Sequence, residues 1–229
     1  PFGVLAAPLV DLADGASHAD IVPRLAARAR TTPAGEWIMA TPVGEPHYFI
    51  RRSFRDLIEG VLPGRRVLDR ATREHPVMIQ AWAPVIPNVC ALNSAGLARL
   101  GLGPSTPERV GNVWIEKDAH GEPTGLLRGS VTNYYTGDAF MNGLLAELPL
   151  LQPEAVLPGT SQAMAAYNAL GVTTVYEGHA MDVPLIEAYR ALRAENALRV
   201  RVLAALEAEN YALPWDAPLS DAEFDARLE

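Results

Sequence analysis

Glu177, Gly178 and His179 place a carboxylate and an imidazole on either side of a flexible residue. They follow directly on Val172-Thr173-Thr174-Val175-Tyr176, a run rich in β-branched residues that reads as a strand. A carboxylate and an imidazole in such a place can move a proton or orient a substrate. In parallel α/β folds, ligands bind at the carboxyl ends of strands. Glycine between them permits a sharp turn. The competing reading makes Glu177 a helix cap or salt-bridged loop residue, and His179 a solvated loop histidine. The other histidines, His18, His47, His75 and His120, are dispersed. Neither His-x-His nor His-Glu-x-x-His occurs, so no metal-ligand spacing is present. His18 and His75 flank predicted helices and are expected at the surface. His120 falls at a hairpin tip and is expected in solvent. His47, beside Tyr48 and Phe49, borders a cleft in one reading and is solvated in the other. Cys90 would be a nucleophile only with a base alongside, and is expected as a small buried hydrophobe. Trp37, Trp82 and Trp114 lie in or beside predicted strands and are expected in the core. No Gly-rich phosphate loop or Gly-x-Ser-x-Gly elbow is found.

The elements that must position these groups follow from periodicity and punctuation. Ile21, Val22, Leu25, Ala26 and Ala29 fall on one face of a predicted helix over 17–30. Residues 37–40 and 77–81 are short strands, the second of the fully buried kind. A short helix is expected over 68–74. Another is expected over 91–100, ended by Gly101. Residues 113–116 and 126–127 flank a turn-rich tip and predict a β-hairpin. Residues 130–160 carry no clear pattern. Helix 161–170, strand 172–176, a helix beginning near Asp182 and Pro184, and strand 198–203 make a βαβ pattern, which implies a parallel sheet or an (α/β) barrel.

Hydrophobic residues make up 49% and charged residues 20% of the 229, a globular composition. The formal charge is -8, which opposes binding of nucleic acid by a basic face. One cysteine excludes an internal disulfide and a cysteine zinc cluster, and fits a reducing, cytoplasmic location. No apolar run reaches the ~18 residues of a membrane span. The chain starts at Pro1, and a capping box at Ser220-Asp221-Ala222-Glu223 opens a helix with few residues left to complete it. A piece of a longer protein is therefore expected.

An ordered set of segments is similar to the amidohydrolase superfamily, family 3, YtcJ-like group. The segments are Pro33-Ala34-Gly35-Glu36-Trp37-Ile38, Leu68-Asp69-Arg70-Ala71, His75-Pro76-Val77, Leu92-Asn93-Ser94-Ala95-Gly96-Leu97, Gly121-Glu122-Pro123-Thr124-Gly125 and Leu170-Gly171-Val172-Thr173-Thr174-Val175. The resemblance implies a metal-dependent hydrolase of the α/β class: a partial distorted TIM barrel carrying an α+β insertion. Residues 1–160 would be mostly insertion between the first and second barrel strands, and 161–229 would hold the second and third strands. It implies a divalent metal, zinc, that activates water against a non-peptide C–N bond. The implied metal ligands lie outside the chain, so no catalytic or metal residue is assigned within it.

Two departures from the family pattern stand out. Pro87-Asn88 replaces a Gly-His found in many relatives, and Gly129 falls where many carry glutamate. Glu177, His179 and Asn88 are the candidate substrate-binding residues. The expected partner is a small-molecule substrate, not nucleic acid or membrane, and self-association into a homo-oligomer stays open. The alternatives are a TIM-barrel glycoside hydrolase using Glu177, or a non-catalytic α/β binding domain.

Overall fold

The computed structural model describes residues 9–44, 52–132, 138–149, 153–181 and 183–206, with Ser220 and Ala222. His47 and most of the expected capping box at 220–223 lie outside the described residues. The chain divides into two compact units, Pro8–Leu150 and Pro1–Ala7 with Leu151–Glu229.

The unit Pro8–Leu150 runs α1 (His18–Ala29), β1 (Ile38–Ala40), a 3₁₀ turn (Phe54–Asp56), α2 (Arg65–Leu68), β2 (Val77–Ile79), β3 (Val89–Leu92), α3 (Ser94–Arg99), β4 (Arg109–Val110), β5 (Val113–Lys117), β6 (Pro123–Gly129) and α4 (Ala139–Ala146). Helix α1 starts where the sequence places it. The Ser17 hydroxyl accepts from the Asp20 N–H at 3.2 Å, and the Asp20 carboxylate accepts from the Ala16 N–H at 3.0 Å. Its apolar stripe buries Ile21 and Leu25.

The strands form one sheet in the order β1-β2-β3-β6-β5-β4. β1 and β2 are parallel, and the other neighbours are antiparallel. Successive strand side chains point to opposite faces. Ile38, Ala40, Val77, Ile79, Val89 and Ala91 accordingly join Ile21, Leu25 and Leu68 in one apolar cluster. Met39, Met78, Cys90, Leu92, Ile115 and Leu127 join Leu97, Met141 and Leu144 in another. Both faces of the central strands are buried, which is why β2 and β3 read as unbroken apolar runs.

The expected hairpin is present. The Asp118 carboxylate closes its tip by accepting from the N–H groups of His120 at 2.9 Å and Glu122 at 3.1 Å. His120 is exposed there.

Several elements differ from the sequence reading, among them the helix expected over 161–170, which runs Pro153–Ala169. The helix expected over 68–74 is instead α2, ending at Leu68, because the Thr72 hydroxyl accepts from the Glu74 and His75 N–H groups and turns the chain. Residues 91 and 92 are strand rather than helix, since they pair with Ile79 and Met78 of β2. α4 occupies part of 130–160, capped by Asp138, whose side chain accepts from the Met141 N–H at 3.1 Å. His75 is buried, 5% exposed, not at the surface. Trp114, in β5 next to the edge strand β4, is 44% exposed rather than in the core.

The other unit holds α5 (Pro153–Ala169), β7 (Thr174–Met181), α6 (Val183–Ala194) and β8 (Arg201–Leu206). β7 and β8 are parallel, as the βαβ pattern requires. Met164, Leu192 and Val200 form its small core, with Val175, Tyr189 and Val202 packed against it. The described architecture is mixed α/β; a TIM barrel is not shown.

Candidate functional site

Glu177 does not follow the strand but lies within β7. The regular ladder with β8 runs from Thr174 opposite Arg201 to Glu177 opposite Ala204, then shifts before Met181 pairs with Leu206. The irregularity therefore falls within 178–180, the stretch that holds Gly178 and His179. Glu177 is 7% exposed, and its Oε1 accepts from the Tyr189 hydroxyl of α6 at 2.9 Å. Burial, and then the neighbouring carboxylate, push the Tyr189 phenol well above its ordinary value, so it stays a donor. The sequence signalled Tyr189 only as an apolar helix position, although a half-buried tyrosine hydroxyl needs a partner. His179 shares the strand, but its side chain lies outside the described residues. Ala204 stands opposite Glu177, so β8 offers no second carboxylate at that register. The geometry of paired carboxylates demanded by a glycosidase is absent there.

Asn88 sits at a different place, in the unit Pro8–Leu150. Its side-chain amide donates to the carbonyls of Trp82 at 3.0 Å, Ala83 at 2.9 Å and Val85 at 3.2 Å. These bonds close the 82–88 loop on itself and aim it at a cavity of about 330 Å³. The cavity wall includes Asn88, Asn112, Trp114, Gly129, Ser130 and Thr132. Both departures from the family pattern, at 87–88 and at 129, thus border one space. Gly129 has φ +98, and a Cβ there would collide with the Asn112 carbonyl and come within 2.8 Å of the Trp114 ring. A glutamate at 129 is incompatible with this backbone. Trp114, expected in the core, instead forms a cavity wall with the Arg109 guanidinium 4.5 Å above its ring.

Four of the segments that carried the family resemblance meet in space within the unit Pro8–Leu150. Asn93 is fully buried, and its Oδ1 accepts from the N–H groups of Val77 at 2.9 Å and Gly96 at 2.8 Å. Its Nδ2 donates to the carbonyls of Thr72 at 3.1 Å and His75 at 2.9 Å. Ser94 adds two bonds to Asp69, from its N–H at 2.9 Å and its hydroxyl at 2.7 Å. Gly125 has φ +95, and a Cβ there would strike the Leu92 carbonyl and stand 2.8 Å from the Arg65 nitrogen. Leu68-Asp69, His75-Pro76-Val77, Asn93-Ser94 and Thr124-Gly125 are thus one structural knot that binds α2, β2, α3 and β6 together. These residues hold the framework rather than face a ligand.

Cys90 is fully buried in β3, and burial pushes its thiol up to about 12, which makes it inert as a nucleophile. Among the described residues, no group of three or more His, Cys, Asp or Glu side chains could hold a metal ion. The described side chains alone therefore do not fit a metal. No helix among them is long and apolar enough to cross a membrane.

Comparison with known proteins places this framework. The model of the amidohydrolase family Amidohydro_3 matches residues 3–226. A putative amidohydrolase, YtcJ of Bacillus subtilis (strain 168), is 30% identical over 123 residues, which cover 52% of this chain and 20% of that protein. The chain thus matches about a fifth of the length of this curated relative. No solved structure matches the chain. With the family model spanning nearly all residues from the first strand region to the last, and the knot of signature segments explained by the fold, the chain belongs to the amidohydrolase family.

Proposed function

We propose that this chain serves a metal-dependent hydrolase that cleaves a non-peptide C–N bond of a small molecule. The observation that carries the reading is the family match across residues 3–226. Water adds across the bond, so the acyl carbon takes the hydroxyl and the nitrogen takes the hydrogen. Members of the family generally use a divalent metal, and zinc is the ion expected here. The roles proposed for this chain's own residues are binding and orientation.

Glu177 is the residue placed best for this. Its carboxylate is buried, and its Oε1 is held by the Tyr189 hydroxyl, which restricts its orientation. A carboxylate so fixed can receive a substrate N–H with little ordering cost. His179, in the same unit, is proposed to touch substrate as well, and Asn88, in the unit Pro8–Leu150, is a separate proposed substrate-binding residue. A cytoplasmic location is part of the same proposal.

The test uses the intact enzyme with N-acyl and N-formyl amines as trial substrates. Glu177→Gln and His179→Ala are assayed for bound metal, melting temperature and kcat/KM. A fall in kcat/KM of about tenfold or more, with metal content unchanged, is expected for a substrate-orienting group. Normal kinetics with a lowered melting temperature would assign Glu177 to structure alone. Absence of any metal-dependent hydrolysis of C–N bonds would overturn the function itself.

A further inference from the structure

We draw no further inference here: the strongest candidate, the face of the β7–β8 pair on which Tyr176 and Leu203 stand opposite each other and are 69% and 59% exposed, carries nothing, because nothing in the structure shows what covers it.

Discussion

Replacing Asn93 by alanine should destabilise the Pro8–Leu150 unit more than any other polar-to-alanine change in it. Asn93 is fully buried, and its side chain makes four hydrogen bonds, all to backbone groups. Alanine removes both partners' access at once. The Val77 and Gly96 N–H groups and the Thr72 and His75 carbonyls each lose a bond. At about 1 kcal/mol net per buried hydrogen bond the cost is about 4 kcal/mol. Part of that is the N-cap of α3, where such substitutions alone cost about 1 kcal/mol. For a protein of this size the loss corresponds to a drop of roughly 10 °C in Tm. Urea unfolding followed by tryptophan fluorescence is the assay, since Trp37, Trp82 and Trp114 all lie in this unit. Ser94→Ala is the internal comparison. It removes one hydroxyl bond to Asp69 and should cost about 1 kcal/mol. An Asn93→Ala variant no less stable than Ser94→Ala would refute the idea that the signature Asn-Ser pair ties the framework together.

Three further outcomes are expected. Gly129→Ala forces a side chain into φ +98 and against the Asn112 carbonyl, so it should cost about 2 kcal/mol or more and shift Trp114 emission; a neutral effect in the same urea assay would show that this turn relaxes freely. Cys90, with its thiol raised to about 12 by burial, should react with a disulfide reagent at pH 8 only when the protein unfolds, so immediate labelling in native buffer would show that β3 is not sealed. The Asp138 carboxylate is held below its ordinary value by the N–H groups of Asn112, then Met141. A depressed carboxylate contributes stability that is present above the unfolded value, about 3.9, and is lost as pH falls below it. Asp138→Asn should therefore flatten the acid side of a Tm-against-pH curve, and an unchanged slope would contradict the cap.

The elements legible in the amino-acid sequence were those whose causes are local. Ser17 and Asp20 with a stripe of Ile21 and Leu25 specify α1, because a cap and a 3.6-residue period act within one turn of chain. Asp118 and Gly121 specify the hairpin tip for the same reason, and alternating helix and strand segments announced the parallel β7–β8 pair. The order of the family segments was also readable, and it identified the family before any contact was known. Tertiary structure decided the rest. Ala91 and Leu92 favour helix as readily as strand, and only pairing with β2 makes them strand. His75 is buried, and its carbonyl accepts from Asn93, eighteen residues away. Trp114 stands one short strand from the sheet edge and is 44% exposed, which its residue type alone does not signal. Asn88, Asn112, Gly129 and Thr132 border one cavity although 44 residues separate the first from the last, and only strand order brings them together. A side chain's chemistry is written in its position along the chain, but its surroundings are set by residues far away, and burial and open hydrogen-bond valences exist only once those residues have met.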